Sequence, residues 1–269
     1  MGAVPIYYQL RKMGRVAVAY SGGVDSTFLL KAAHDALKED VIAVTVRSPV
    51  YPEKELRASV AFAQKTGIKH VVITADVLDI EGFADNPVNR CYLCKRGIFS
   101  KIGAVAREHG MHFVLEGSNA DDTGDYRPGM EALKELGVVS PLQEAGMTKA
   151  EIRRLSREMS LPTWNKPASA CLASRFPYGS RITKHALGMV DEAEQFLIDT
   201  GFTQVRVRHH GDTARIEVSP YERIRFFHGG LTDRVYEVFR ELGFVYVTLD
   251  IKGYRTGSMN EMIDIPVLR

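Results

Sequence analysis

The stretch YSGGVDST, residues 20–27, indicates the fold class because it joins an element with strand periodicity to one with helical periodicity. Residues 15–20 (RVAVAY) form a short apolar run that predicts a buried strand, and apolar residues at helical spacing predict a helix over Asp25–Leu37. The two glycines permit a tight turn and a close approach of a ligand to the backbone. Because the start of a helix presents free N–H groups and a positive partial charge, this turn predicts a pyrophosphate site. The alternative is a small-residue turn in which Asp25 or Ser26 only caps the helix.

The first 120 residues repeat this alternation of strand and helix. Further strands are predicted at 41–46, 70–74 and 112–116, with helices at 53–66 and 92–109. Strands that are continuously apolar and separated by helices indicate a parallel sheet with helices on both faces. Ligands of such sheets bind beyond the carboxyl ends of the strands. The fold class is therefore α/β for this part of the chain.

The second half predicts a smaller α+β domain. Thr148 followed by Glu151 predicts a capping box for a helix over 148–159. Later helices are predicted at 185–200 and 231–242, and strands at 204–208, 214–218 and 244–249. The expected organisation is a nucleotide domain over 1–160, a functional loop or linker over 161–184 that carries Cys171, and a substrate or oligomerisation domain over 185–269.

Composition excludes several classes of protein. The 269 residues carry 35 Lys and Arg against 33 Asp and Glu, and the charge is balanced in each half: 18 against 18 over 1–150, and 17 against 15 over 151–269. A nonspecific nucleic-acid binder would be more basic. The sequence has no run approaching the roughly 20 apolar residues that span a bilayer and no export signal. Three cysteines cannot form a disulfide framework, so a reducing cytoplasm is expected.

An acidic loop follows the fourth predicted strand. It reads EGSNADD over 116–122 and continues through Asp125 and Arg127. Asp121, Asp122 and Asp125 are candidates to hold Mg²⁺ or to recognise hydroxyls, and Arg127 to balance a phosphate. The alternative is a solvated turn rich in Asx residues.

The three cysteines leave several chemistries open. Cys91 and Cys94 form a C-x-x-C pair at the start of a predicted helix, and Cys171 stands alone in a long loop. Such a set fits part of a zinc site or of an iron–sulfur site. A redox pair would not account for Cys171, and the simplest alternative is that Cys171 is a small buried side chain.

The SGGVDS string is the signature of the PP-loop ATP pyrophosphatases, which this sequence resembles. Members split ATP into AMP and pyrophosphate and adenylate an acceptor oxygen. The resemblance implies that Ser21, Gly22, Gly23, Asp25 and Ser26 hold the pyrophosphate end, with Mg²⁺ nearby.

A narrower resemblance runs over nearly the whole chain. The segments NKPASACLASRFPYG (165–179), EGSNADD (116–122) and DYRPG (125–129) are similar to those of the LarE family of ATP-dependent sulfur transferases. That family adenylates a carboxylate of a pyridinium dicarboxylate mononucleotide and replaces an oxygen with sulfur. The product is used to make the nickel-pincer cofactor of lactate racemase. Members form homo-oligomers, often hexamers, so the resemblance implies a small nucleotide-like substrate and self-association.

Two sulfur chemistries occur in that family. In one, the cysteine of the CLASR motif, here Cys171, gives up its own sulfur and becomes dehydroalanine. In the other, three cysteines bind a [4Fe-4S] cluster whose open iron carries a sulfide that a donor must supply. Cys91 and Cys94 match the cluster type, which the resemblance therefore favours, with a sacrificial Cys171 as the alternative.

The resemblance also implies roles for charged residues of the second half. Arg206 and Arg208 alternate on one predicted strand and are expected to hold the substrate phosphate. Glu194 and Glu217 lie near acidic positions of the family that bind metal or orient substrate. Ser174 and Arg175 are expected to act with Cys171 by positioning the adenylate. The alternative for all of these is an ordinary charged face.

Three other functions fit parts of the sequence. A PP-loop tRNA thiolase also uses cysteines, but the near-neutral halves argue against an RNA partner. An amidotransferase such as an NAD synthetase has no use for three cysteines. A nucleotide-binding sensor or assembly protein would use the cysteines as ligands of a structural zinc rather than in a reaction.

Overall fold

The chain divides into two compact units. The computed structural model describes residues 4–124, 128–167 and 170–255. The first unit comprises Met1–Phe83 and Asn89–Ser169, and the second comprises Ala84–Val88 and Ala170–Arg269. The change from one unit to the other therefore falls inside the 161–184 segment, just before Cys171.

The first unit is built on a parallel sheet, as the sequence predicts. Its strands are β1 (Val16–Ala19), β2 (Val41–Arg47), β3 (Lys69–Thr74) and β4 (Phe113–Leu115), in the order β3-β2-β1-β4. All pairings are parallel. Because β1 lies in the middle, the SGGVDS turn opens at the centre of the carboxyl edge of the sheet, and the acidic loop opens beside it.

Helices flank this sheet. They are α1 (Val4–Met13), α2 (Val24–Leu37), α3 (Glu53–Thr66), α4 (Arg90–Glu108), α5 (Pro128–Glu135), α6 (Pro141–Glu144) and α7 (Lys149–Glu158). Gly67 ends α3 with φ of 70°, which favours glycine, and α7 begins with the predicted capping box of Thr148 and Glu151. Helices α1, α5 and α6 have no counterpart among the elements predicted from the sequence.

Burial differs among the strands because of their order. The first three residues of β1 and the first five of β2 are buried. β3 and β4 are the edge strands, and most of their side chains are half-buried or exposed. The core lies between the central strands and the inner faces of the helices, with Phe28, Leu30 and Leu115 fully buried.

The second unit contains a three-stranded sheet in the order β5-β6-β7. β5 (Val205–His210) pairs antiparallel with β6 (Thr213–Val218), and β7 (Tyr246–Leu249) lies parallel to β6. Helices α8 (Lys184–Asp199) and α9 (Leu231–Glu241) belong to the same unit. The predicted helix–strand pattern of this half is thus present, with β7 starting two residues later than expected.

Candidate functional site

The SGGVDS turn is stabilised by hydrogen bonds from its hydroxyl groups to its own backbone. The Ser26 and Thr27 hydroxyls both donate to the carbonyl oxygen of Gly23, at 3.3 and 2.7 Å. The Ser21 and Ser26 hydroxyl oxygens lie 3.0 Å apart. Gly22 has a φ of +72°, and a Cβ there would lie 3.4 Å from the carbonyl oxygen of Glu55. The turn is therefore a rigid backbone concavity that requires glycine.

The first turn of α2 is available to an anion. Gly23, the N-cap of this 14-residue helix, has no side chain that could cap it, and its own N–H donates to the Ser21 hydroxyl at 3.4 Å. Uncapped N–H groups together with the helix dipole attract phosphate oxygens. The residues present thus fit the triphosphate of a nucleotide.

The acidic loop approaches the phosphate loop very closely. A Cβ built on Gly117 would lie 3.1 Å from the backbone nitrogen of Ser26 and 3.3 Å from its Cα. Glu116, which is buried, fixes this approach by accepting hydrogen bonds from the backbone N–H and the hydroxyl of Ser118, at 3.0 and 2.9 Å, and from the Ser140 hydroxyl. The two loops therefore form one continuous surface at the carboxyl edge of the sheet.

Two of the predicted acidic residues bind backbone amides. Asp122 Oδ2 accepts from the N–H of Asn119 at 2.9 Å, and Asp121 Oδ2 accepts from the N–H of Lys149 at 2.8 Å. These contacts give each carboxylate a role in shaping the loop. The local Asx turn is made by Asn119 instead, whose Oδ1 accepts from the N–H of Asp121 at 2.9 Å. Asp125 and Arg127 lie outside the described residues.

Lys149 and Lys166 line the phosphate loop, although no sequence motif indicated either of them. Lys149 forms an ion pair with Asp25. Lys166 forms an ion pair with Glu55 and donates to the carbonyl oxygen of Gly22 at 2.9 Å. Asp25 Oδ1 is buried without a hydrogen-bond partner among the described residues. The loop therefore has cationic groups beside it and an acidic oxygen suited to a cation. The only sequence signal was position: Lys149 follows the Thr148 cap, and Lys166 lies in the 165–179 segment.

A chain of hydrogen bonds from the half-buried His70 supports the start of the loop. The Thr45 hydroxyl donates to the carbonyl oxygen of Tyr20 at 2.6 Å, so it must accept from Nε2 of His70, 2.8 Å away. Burial lowers the pKa of His70 and raises the pKa of the Tyr20 phenol to about 12. Both side chains are therefore neutral at physiological pH. The hydrogen bonds from His70 to Thr45 and from Thr45 to the Tyr20 carbonyl tie β3 and β2 to the residue before Ser21.

All three cysteines are thiols, two in the first unit and one in the second. Cys91 is exposed and Cys94 is buried, and both lie near the start of α4. Cys171 belongs to the second unit and precedes a short 3-10 helix, Leu172–Arg175. Within residues 4–124, 128–167 and 170–255, no three His, Cys, Asp or Glu side chains come together as a metal site. The three-cysteine cluster therefore stays a prediction.

In the second unit, Arg175 organises the CLASR segment. Its guanidinium makes two contacts of 2.8 Å with the Glu194 carboxylate. Its remaining nitrogen donates to the carbonyl oxygens of Ala170 and Cys171, at 3.1 and 3.3 Å, and to the Ser174 hydroxyl, at 2.7 Å. Glu194 also accepts from the N–H of Val207 at 2.8 Å. This buried ion pair joins the Cys171 turn to α8 and β5.

The two predicted arginines of β5, Arg206 and Arg208, differ in their contacts. Arg208 donates to both oxygens of the fully buried Glu217, at 3.0 and 2.7 Å, and to the carbonyl oxygen of Ser174 at 2.9 Å. Arg215 also donates to Glu217 at 3.0 Å. Burial lowers the pKa of Arg206, and the charges of Arg175 and Arg208 lower it further. The face of β5 and β6 that carries Arg206, Arg208, Arg215 and Glu217 therefore has more positive than negative charge, which suits an anionic ligand.

Taken together, the parallel sheet and the glycine turn at its centre define a nucleotide-binding protein of the PP-loop class. The protein family described as NAD synthase matches residues 6–86, which contain this turn. Over 252 residues the chain is 41% identical to an uncharacterised protein of Synechocystis, with 94% of both chains covered. It is 40% identical to pyridinium-3,5-bisthiocarboxylic acid mononucleotide synthase of Lactiplantibacillus plantarum, with 94% of this chain and 92% of the relative covered. The chain belongs to the LarE family of ATP-dependent sulfur transferases, to which that synthase belongs.

Membership confirms the predicted family, the α/β PP-loop fold and the enzyme class. A third relative, an uncharacterised protein of Methanocaldococcus jannaschii, is 26% identical with 91% of this chain covered. Among the described residues, no helix is both long and apolar enough to cross a membrane.

Proposed function

We propose that this protein adenylates a carboxylate of a pyridinium dicarboxylate mononucleotide and replaces one of its oxygens with sulfur. The observation that carries the proposal is the 40% identity, along 94% of the chain, to a relative whose name gives the bisthiocarboxylic acid mononucleotide as its product. A carboxylate oxygen attacks the α-phosphorus of ATP and pyrophosphate leaves. A sulfur nucleophile then attacks the carbonyl carbon, and AMP departs with the former carboxylate oxygen. The product would enter biosynthesis of the nickel-pincer cofactor of lactate racemase.

The phosphate loop is the proposed site of the ATP chemistry. Ser21, Gly22, Gly23, Asp25 and Ser26 would hold the departing pyrophosphate against the first turn of α2. Mg²⁺ would neutralise charge on it, and Asp25 is the first choice of ligand because one of its oxygens is buried without a described partner. Asp121, Asp122 and Asp125 would assist with the metal or with nucleotide hydroxyls. Lys149 would exchange Asp25 for a phosphate oxygen when the nucleotide arrives.

The sulfur source is proposed to be a [4Fe-4S] cluster held by Cys91, Cys94 and Cys171. A cluster with three protein ligands would supply an iron open to an external sulfide. Cys91 and Cys94 are three residues apart at the start of α4, so they share one helix face. The alternative is that Cys171 itself donates its sulfur and becomes dehydroalanine, in which case the α4 pair has no part in the reaction.

The second unit is proposed to bind the substrate. Arg206 and Arg208 would hold the substrate phosphate. Two nitrogens of Arg208 also contact Glu217, and Nη1 of Arg206 donates to the carbonyl oxygen of Val205 at 2.6 Å, so both side chains would be partly positioned before the phosphate binds. Arg175 and Ser174 would hold the Cys171 turn next to the adenylate. Glu194 and Glu217 act through these arginines by keeping them in place. A homo-oligomer, hexameric as in the family, and a cytoplasmic location with a separate sulfide donor complete the proposal.

Pyrophosphate release tests the adenylation step. It is expected to require ATP, Mg²⁺ and the pyridinium dicarboxylate mononucleotide together. A Ser26→Ala variant is expected to lose release, whereas Ser100→Ala, on the exposed side of α4, is expected to retain it. Release of ADP and phosphate instead would contradict the PP-loop mechanism. Stimulation by tRNA, with binding that weakens steeply in salt, would favour a tRNA thiolase.

Anaerobic iron and sulfide analysis tests the sulfur source. About four irons per chain are expected for a three-thiolate cluster, and Cys91→Ala, Cys94→Ala and Cys171→Ala should each remove them. One zinc and no iron would contradict the cluster. If wild type turns over once, loses sulfur from Cys171 and needs neither Cys91 nor Cys94, the sacrificial mechanism holds instead.

A further inference from the structure

The turn that follows β7, residues 250–254, is docked tightly onto β6. The N–H of Asp250 donates to the carbonyl oxygen of Ile216, and the N–H of Tyr254 donates to that of Val218, both at 2.8 Å. Between these two points, Asp250 Oδ1 accepts from the N–H of Lys252 at 2.8 Å and of Gly253 at 3.0 Å. The turn is therefore fixed at both ends and through its middle, although the sequence pattern beyond residue 250 is irregular.

Gly253 is required by this docking. Its φ is +72°, and a Cβ there would lie 2.6 Å from the carbonyl oxygen of Val218. Any other residue would strain the backbone and push the turn off β6. The next residue, Tyr254, therefore takes its position from contacts that the backbone itself makes.

Tyr254 is placed against one of the arginines of β5. The Cζ atom of Arg206 lies over the Tyr254 ring, 5.3 Å from its centroid, within the range of a cation–π contact. In the register of the two strands, Arg206 lies opposite Glu217 and Arg208 opposite Arg215, so these four residues share one face of the ribbon. The carboxylate of Glu217 is bound by Arg208 and Arg215.

We propose that Tyr254 is a positioning residue that holds the guanidinium of Arg206 for a phosphate monoester. The inference rests on the proposed function, in which Arg206 contacts the phosphate of the mononucleotide. A long arginine side chain loses conformational freedom when it binds an anion. A ring packed against it removes part of that freedom in advance, and the hydrogen bond from Nη1 of Arg206 to the carbonyl oxygen of Val205, at 2.6 Å, removes more. A guanidinium carries several N–H donors in its plane, and a ring that lies over this plane does not itself accept them.

Kinetics of Tyr254 variants test the role of the ring. Tyr254→Leu is expected to raise the KM for the mononucleotide about three- to tenfold, the loss of one cation–π contact, with kcat changed less than about twofold. Tyr254→Phe retains the ring and should restore the wild-type KM. Tyr221→Leu, at a tyrosine that is 92% exposed, is the matched control and should behave as wild type. An unchanged KM in Tyr254→Leu, or an equal defect in Tyr254→Phe, would overturn the proposal.

Binding of inorganic phosphate separates this proposal from the proposed function. Titration calorimetry of the full chain without ATP should show phosphate affinity reduced by a similar factor in Tyr254→Leu and unchanged in Tyr254→Phe. If wild type releases no pyrophosphate with the mononucleotide, the proposed function fails, and the phosphate titration alone judges Tyr254. Equal phosphate affinity in wild type and Tyr254→Leu would refute the positioning role even in an active enzyme.

Discussion

The ion pair between Arg175 and Glu194 provides the sharpest test of how the Cys171 turn is held. The substitution is Glu194→Gln, which keeps the shape of the side chain and removes its charge. In the wild type, the carboxylate accepts three hydrogen bonds of 2.8 Å, two from Arg175 and one from the N–H of Val207. A glutamine oxygen can replace one oxygen of the carboxylate, but its NH₂ group would face an N–H of the guanidinium.

The expected loss of stability follows from the burial of this pair. The Arg175 side chain is 3% exposed and that of Glu194 10%, so solvent cannot replace the missing charge. Removing one partner of a buried ion pair costs about 3–5 kcal/mol. Because glutamine retains part of the hydrogen bonding, we expect about 3 kcal/mol for Glu194→Gln.

The matched control is Glu158→Gln, which removes the same charge from a pair with Arg154. Those side chains are 56% and 52% exposed, and the pair is one helical turn apart. Such pairs contribute about 0.3–0.5 kcal/mol, so the control should unfold nearly as wild type does.

The measurement must report on the second unit. The single tryptophan of the chain, Trp164, belongs to the first unit, so its fluorescence does not report directly on the pair. Urea unfolding followed by far-ultraviolet circular dichroism, together with hydrogen exchange of residues 171–175, measures the relevant opening. A Glu194→Gln variant within about 1 kcal/mol of wild type, with unchanged exchange in this segment, would refute the assignment of the pair as the main support of the turn.

Three further predictions concern the first unit. Gly117→Ala should raise the KM for ATP and destabilise the protein by about 1–3 kcal/mol, because the new Cβ meets the backbone of Ser26; a neutral result in both assays would mean that the two loops are not in contact. Burial lowers the pKa of His70, so the neutral form is favoured in the folded state. Its contribution to stability is present above pH about 6.5 and is lost as the pH falls below this value. In urea unfolding, the free energy of unfolding of wild type should therefore exceed that of His70→Gln by less at pH 5.5 than at pH 7.5. A difference that does not change with pH would argue against a neutral His70 in the folded state. Thr148→Ala should cost about 1 kcal/mol in thermal or urea unfolding by removing the cap from α7, and no loss would contradict the capping box.

Local patterns predicted those parts of the fold that local chemistry controls. The SGGVDS turn, the helix end at Gly67 and the Thr148–Glu151 capping box each depend on residues within a few positions of one another, and each is present. Helix α1 is not predicted by the sequence pattern although Ile6 and Leu10 are fully buried, because the role of these residues depends on their packing into the core of the first unit.

The site was predicted only in part, for a related reason. Motif segments contained nearly all of the loop residues, but no local pattern indicated that Lys149 pairs with Asp25, 124 positions away. Nor did it indicate that Lys166 reaches the carbonyl oxygen of Gly22, 144 positions away. Such partners meet only after the strands and helices have packed.

The class of sheet, the glycine turn at its centre and, through the motifs, the family could all be predicted from the sequence. Prediction was possible because periodicity, turn residues and short signatures are properties of neighbouring positions. The partners of the charged side chains became known only from the three-dimensional structure: Glu194 is bound by Arg175, Glu217 is bound by Arg208 and Arg215, and Arg206 lies against Tyr254. The physical reason is that a charge acquires its role from burial and from partners in space, and these depend on how separate elements pack.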